Sequence, residues 1–442
     1  MTDVGPVDGR DVRRKILRAT FAGSAGNLVE WYDWYAYSAF AIYFAPRFFP
    51  RSDRTAQLLD AAALFAIGFL VRPLGALWMG RHSDRVGRSK ALTRSVLLMC
   101  VGSTLVAVAP TFATAGIGAP AVLVLARVVQ GLSVGGEYGA SATYLSEIAA
   151  SGHRGFVSSL QYVTLIGGQL LALGVLVVLQ TFLTTEALEA WGWRVPFALG
   201  GVLSVAVFVA RTSLVETDAF LRSDPETRRE RANVVHLLRA HPKEAALVVG
   251  LTAGGTVAFY TFTTYLQKLL VVSTGFPKDV ATRVTASALV VFMVLQPAVG
   301  ALSDRVGRRP VMIAFGVGGV LLTIPLLHRL ATTPSPLVAF LWATVALLVV
   351  SGYTSINAVV KAELFPTEVR TIGVAFPYAL ATAIFGGTAE WVALALKSSG
   401  HESWYGVYVT ALVACSLVVY VAMRETRDRG ALGTEISSED PR

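Results

Sequence analysis

Apolar residues in this chain arrive in long blocks rather than in stripes. Ala61–Val71, Val96–Val108, Gly168–Leu179 and Val338–Val350 run with almost no charge inside them. A helix on a soluble domain buries one face and wets the other, so its apolar positions recur every 3.6 residues. These blocks are apolar all round. A helix that crosses the hydrocarbon layer needs about 20 such residues, because the layer is roughly 30 Å thick. Twelve spans are predicted, near 18–45, 57–80, 91–109, 120–144, 156–180, 193–212, 244–270, 280–302, 310–328, 337–361, 371–396 and 402–423. The longest polar stretch, Ser213–Lys243, falls between the sixth and the seventh. The expected organisation is a six-helix half at 1–212, a cytoplasmic linker at 213–243, a second six-helix half at 244–423 and a tail at 424–442.

Composition supports an all-α membrane protein. Of 442 residues, 54% are apolar and 15% charged, against roughly 25% charged in an average soluble domain. Soluble enzymes and nucleic-acid binders are excluded on that ground. The net charge of +9 then has a simple source, the excess of Lys and Arg in cytoplasmic loops. With both termini inside, most of the 38 basic residues fall in the tails, the linker and the inner loops. Trp191 and Trp193 fall at a proposed interface, where amphipathic rings collect. Cys100 and Cys415 both lie in apolar blocks, giving neither a disulfide framework nor a metal site. The first apolar block runs too long for a cleaved signal peptide. No Gly-x-x-x-x-Gly-Lys-Ser/Thr loop, metal-spaced cluster or nucleophile–base set is found, so neither an enzyme nor a cofactor is expected.

The chain repeats itself. Asp84-Arg85-Val86-Gly87-Arg88 follows the second span, and Asp304-Arg305-Val306-Gly307-Arg308 follows the eighth. Glu147 and Arg154 follow the fourth span, and Glu363 and Arg370 follow the tenth at the same separation. Two echoes at nearly one offset predict two parallel halves. Transporters build their sites at the interface of such repeats, near the midplane.

Polar residues inside the spans mark candidate chemistry, since they are costly in hydrocarbon and face a cavity or a partner. Glu30 and Asp33 are three apart and share one helix face. They are candidates for proton coupling, with a structural pairing to Arg72 or Arg127 as the alternative. Glu137 lies in the fourth span, too far along the helix from Arg127 to pair with it, and joins the coupling candidates. Arg72 and Arg127 serve equally as anion ligands or as counter-charges. Gln161, Tyr162 and Gln169 form a polar patch in the fifth span. Thr261, Thr264, Tyr265 and Lys268 recur as a stripe in the seventh, next to Tyr260. Asn357 and Lys361 stand in the tenth and Arg194 at the outer start of the sixth; for Lys361 and Arg194 snorkelling is the alternative. The glycines of Gly131–Gly139 lie within a span and are read as close helix packing rather than a phosphate loop.

The pattern Gly-x-x-x-Asp-Arg-x-Gly-Arg at Gly80–Arg88 resembles the hallmark loop of the major facilitator superfamily. Gly26–Asp33, Arg127–Gly139, Trp191–Gly200 and Phe365–Arg370 resemble its metabolite–proton symporters. The resemblance runs from about Arg13 to the twelfth span. It implies a major facilitator fold in a bacterial inner membrane, acting as a monomer by alternating access. It implies import of a small anionic metabolite, α-ketoglutarate or a related dicarboxylate, with a proton as coupling ion. Citrate, shikimate, proline/betaine or an aromatic acid is the alternative cargo. It also implies a gating charge latch at Asp84, Arg85, Arg88, Glu147, Arg154, Asp304, Arg305, Arg308, Glu363 and Arg370. Val86 and Ser89 depart from the more polar or basic residues usual in that loop.

Overall fold

The structure is a computed structural model describing residues 9–51, 53–86, 88–135, 137–149, 152–212 and 234–427. Among the described residues there are helices and turns but no strands. Twelve rods carry the architecture: α1 (Gly9–Phe48), α2 (Arg54–Val86), α3 (Arg88–Ala107), α4 (Gly118–Val134, resuming as Glu137–Ile148), α5 (Arg154–Phe182), α6 (Val195–Thr212), α7 (Pro242–Val272), α8 (Lys278–Val306), α9 (Arg308–Thr332), α10 (Pro336–Glu363), α11 (Arg370–Ser398) and α12 (Ser403–Ala422). Nine helical stretches among the described residues are long and apolar enough to cross a membrane. The other three rods fall short for visible reasons. α1 carries Glu30 and Asp33, while α3 and α4 hold only the shorter apolar helices Thr93–Ala107 and Gly118–Val134.

Packing repeats with the sequence. α1 packs on α2, α5 and α6, α3 on α4 and α6, and α2 on α4. Adding six to each number gives the second half: α7 on α8, α11 and α12, α9 on α10 and α12, and α8 on α10. The halves meet along α5–α8 and α2–α11, seams that the same rule exchanges. The expected pair of parallel six-helix halves is therefore present.

Small residues let the rods approach. A Cβ on Gly75 of α2 would sit 2.6 Å from the Leu132 carbonyl of α4, and one on Gly131 would strike the Gly68 carbonyl. With no hydrophobic force between helices in lipid, such close packing holds them together. The outer surface is apolar: Val202, Val294, Leu321 and Val418 are 66–69% exposed. Part of the expected linker is structured. Val234–Ala240 is a short helix whose Leu237 is fully buried in a cluster with Phe365 and Val369. The predicted stripe in α7 is also altered, because Thr261–Tyr265 is a π-helical turn. The wider turn swings Thr261 toward α12, where its hydroxyl meets that of Tyr405 at 2.7 Å, while Thr264 and Lys268 stay on the inner face.

Candidate functional site

Two buried cations, Arg72 and Lys361, lie where the halves meet, and a third, Arg127, lies within the first half near Arg72. Arg72 of α2 lies 3.8 Å from the Phe69 ring centroid and 4.0 Å from that of Trp34. The phenols of Tyr260, Tyr378 and Tyr35 and the carboxyl of Glu30 surround its charge. Arg127 of α4 stacks 4.1 Å over Tyr37. All three of its guanidinium nitrogens are buried with no hydrogen-bond partner, as are Nε and Nη2 of Arg72. Lys361 of α10, fully buried, donates to Asn357 Oδ1 at 2.7 Å and sits 3.8 Å over Tyr378. Tyr138 of α4 stacks on Tyr378 of α11 at 3.7 Å and donates to Asn357, so groups from both halves fix this lysine. Snorkelling is excluded for Lys361. None of the three cations forms a described ion pair with a carboxylate. Buried charges are ordinarily paired; here the carboxylates of Asp33 and Glu30 act on the charges of Arg127 and Arg72 without a described ion pair.

Glu30 and Asp33 do share a face, and that face turns into the first half, away from Lys361 of α10. Asp33 is fully buried and accepts hydrogen bonds from Ser103 of α3 and Gln130 of α4. Arg127 is near enough to act on its charge. Glu30 lines a small cavity with Ser95, Met99, Ser133 and Ser204, enclosed by α1, α3, α4 and α6. The side chain of Glu137 lies outside the described residues.

A second buried pair stands in the other half. Lys268 of α7 meets Glu390 of α11 at 3.2 Å. Ser38 of α1 donates to the same carboxylate oxygen at 3.0 Å and accepts from the Lys268 ammonium. Lys268 is thus a paired cation, not the free ligand expected. Tyr37 feels the charges of both Arg127 and Glu390. Between the halves, among α1, α5, α7 and α8, a central cavity of about 10 Å³, room for one water, is lined by Tyr35, Ser38, Gln169, Thr263, Thr264 and Gln267. Of the α5 patch, Gln161 accepts from Ser141 at 2.6 Å and Tyr162 packs edge-on to Phe259. Arg194 is not brought to this cluster. It stacks on Trp193 at 4.0 Å and donates to the Ala109 carbonyl at 2.7 Å, the aromatic-belt alternative.

Both ends of the central site are tied shut. At the end reached by the α8–α9 turn, Asp304 accepts from the backbone N–H of Gly155 and Phe156 at 2.8 and 2.9 Å, bridging to α5. Arg308 bonds Asp304 at 2.8 Å and approaches Glu363 at 3.6 Å. Arg154 acts on the charge of Glu363, and Arg370 donates to the Phe365 carbonyl at 3.1 Å. Arg305 does not join this latch: its side chain is exposed, and its carbonyl accepts from Arg427. Asp84, Arg85, Arg88 and Glu147 have side chains outside the described residues. At the opposite end, Lys278 of α8 meets Glu189, in the short helix Thr185–Ala190 after α5, at 2.6 Å.

These are the contents of a membrane transporter, and residues 19–245 and 226–432 match the sugar (and other) transporter family profile. The chain belongs to this family. The transporter is 50% identical to the alpha-ketoglutarate permease of Escherichia coli (strain K12), over 92% of this chain and 94% of that one. It is 34% identical to the citrate-proton symporter of Salmonella typhi, over 95% and 96%. Its fold matches the major facilitator superfamily proton:xylose symporter XylE, bound to 6-bromo-6-deoxy-D-glucose, with a TM-score of 0.76 at 18% identity over 96% of this chain and 98% of that chain. The transporter is thus a multi-pass membrane protein of the major facilitator fold, and not an enzyme.

Several residues of the transporter's site escape sequence reasoning. Glu390 satisfies the rule that singles out Glu30 and Asp33, a carboxylate within a span, and could have been found by it. Ser38, Tyr138 and Gln130 carry no such signal, because hydroxyls and amides are common in helix contacts.

Proposed function

We propose that this transporter imports α-ketoglutarate or a closely related dicarboxylate together with a proton, by alternating access. The observation that carries the reading is the set Arg72, Arg127 and Lys361: buried cations without ion-paired carboxylates, drawn from both halves. A dianion bridging them would hold the halves together in a closed, loaded state. A planar guanidinium fork matches a carboxylate, and Arg127 offers its whole fork. Tyr138, Asn357, Gln161 and Gln169 would orient the cargo between them. The relatives named as α-ketoglutarate permease and citrate-proton symporter support this cargo class.

Asp33 is the seat of the coupled proton in this reading. Its carboxylate accepts from Ser103 and Gln130 and acts on Arg127 through charge alone, so its charge state sets how much negative charge Arg127 already feels. A proton on Asp33 would cancel that nearby negative charge and leave Arg127 attracting the substrate more strongly. A ligand shifts a conformational equilibrium only through differential affinity for the two states, and this change in charge supplies it. The transporter would sit in a bacterial inner membrane as a monomer with both termini cytoplasmic, its halves at 1–212 and 244–423.

The test is uptake of labelled α-ketoglutarate into proteoliposomes under an inward proton gradient. Accumulation that collapses on adding a protonophore supports cargo and coupling together. Accumulation of citrate or a betaine in its place would overturn the cargo and leave the fold untouched.

A further inference from the structure

We propose that Glu390 is a second proton site, one that the substrate itself forces to protonate. The inference rests on the dicarboxylate reading above. Its basis is the geometry of a closed triad. Lys268 and Glu390 are both buried at 3.2 Å, on α7 and α11 of the second half. Ser38 reaches them from α1 of the first half, touching both partners. The ammonium also donates to the Thr264 carbonyl at 3.3 Å. Ser38 and Thr264 both line the central cavity. The ammonium therefore lies directly behind the wall of the space between the halves.

This pair differs from the rest of the site. Arg72, Arg127 and Lys361 wait for an anion, whereas Lys268 already holds one. A carboxylate entering the cavity at Ser38 and Thr264 competes with Glu390 for a single ammonium. Two carboxylates on one ammonium, shielded from water, leave an unbalanced negative charge, which is strongly disfavoured. The balance is restored when Glu390 takes a proton. An O–H bond forms on its carboxylate as the substrate carboxylate takes over Lys268. On release of the substrate to the cytoplasm the O–H bond breaks, the proton leaves, and Glu390 returns to Lys268. The empty transporter then resets with Lys268 paired again.

The other groups facing Glu390 do not compete for this role. They are the phenols of Tyr37 on α1, Tyr265 on α7 and Tyr405 on α12. α2 meets α11 through Phe69, packed on Gly387. Among the described residues Lys268 is the ion-pair partner of Glu390. Asp33 faces into the first half and makes no described contact with the cavity, so substrate contact would not force its protonation in the same way.

The experiment is titration calorimetry of the purified full-length transporter with α-ketoglutarate, in two buffers of different ionisation enthalpy. The difference gives the protons taken up per substrate bound. Wild type is expected to take up more than Glu390→Gln by about one proton. Asp33→Asn is expected to keep that proton. Lys268→Met should lose it by a separate route, because Glu390 then has no cation to exchange. Zero uptake by wild type, or equal uptake by wild type and Glu390→Gln, overturns the proposal. If both Glu390→Gln and Lys268→Met fail to fold, survival of the uptake in Asp33→Asn supports a second site, and its loss there overturns one. Binding of citrate but not α-ketoglutarate by wild type would overturn the cargo reading instead. The same titration with citrate would then test Glu390.

Discussion

Arg127, Arg72 and Lys361 are the residues on which cargo affinity should turn, and their substitutions separate charge from shape. Arg127→Lys keeps the charge and removes the planar fork. A hydrogen bond to a charged group contributes about 1.5–3 kcal/mol, so the KM for uptake should rise by about 10- to 100-fold. Lys361→Met should do at least as much, since it also removes the charge supplied by the second half. Initial uptake rates over a range of substrate concentrations check both; an unchanged KM for Arg127→Lys would show that the fork does not touch the cargo. Asp33→Asn should abolish accumulation driven by a proton gradient while leaving exchange of internal for external substrate largely intact. Equal loss of both would give Asp33 a purely structural role. These residues were legible in the sequence because a charge in an apolar run stands out, and the spacing of Glu30 and Asp33 put them on one face. The direction of that face was not legible. It depends on how α1 is rotated against α3, α4 and α6, which no local pattern encodes. For the same reason the pairing of Lys268 with Glu390 required the fold.

Elements carry the closure of the site. α5 and α8 cross at Gly155 and Gly300, and a Cβ on either would meet the other's carbonyl oxygen at 2.5 Å. Gly155→Val should wedge this seam open, at a cost of about 1–3 kcal/mol for overpacking. The expected result is greater maleimide labelling of single cysteines placed along the Gly155 end of α5, with a lowered Tm. Protection equal to wild type would show that the seam tolerates the wedge. The turn between α8 and α9 has its own clasp. Gly307 adopts φ +99°, a conformation that favours glycine. Glu425, just beyond α12, accepts from the N–H groups of Arg308 and Arg309 at 2.9 and 3.0 Å, capping α9. Burial alone would push the Glu425 carboxyl up, but these N–H groups, that of Arg427 and the Arg308 charge hold it below its ordinary value. A carboxylate depressed in the folded state stabilises fully above its unfolded pKa, about 4.3, and loses that effect as pH falls through the folded value. Thermal melting in detergent should therefore steepen its decline below about pH 4.3. Glu425→Gln should remove that part of the decline and lower the Tm at neutral pH, by an amount equivalent to about 1 kcal/mol. Twelve spans were readable from the apolar blocks, because hydrocarbon thickness fixes their length, and their repeat from the charged loops at Asp84–Arg88 and Asp304–Arg308. This clasp was not, because a short polar tail has no period to read.

At the scale of the whole molecule, two ties oppose each other across the site. The Asp304 carboxylate holds the N-terminus of α5 at one end. The Lys278–Glu189 pair holds α8 at the other to the short helix Thr185–Ala190 that follows α5, and Lys278 also lies 4.3 Å over Tyr43 of α1. Alternating access needs these to open in turn. With both shut, Arg72, Arg127 and Lys361 are buried, and the cavity between α1, α5, α7 and α8 is too small for a dicarboxylate. Loosening one tie should therefore tilt the population rather than unfold the protein. Asp304→Asn leaves the α5 N–H groups a weaker acceptor, and charged acceptors form hydrogen bonds roughly twice as strong as neutral ones. The end bearing the α8–α9 turn should open more often. Glu189→Gln should bias the opposite end open, by less, because that pair is partly exposed and screened. Spin labels across each end, read as distance distributions in nanodiscs, separate the two: Asp304→Asn should lengthen only the first distance and Glu189→Gln only the second. The double substitution should move both, with effects on the populations that add, since the two ties share no side chain. If Asp304→Asn lengthened both distances together, the ends would be loosening as one body, and the two ties would not be alternating gates.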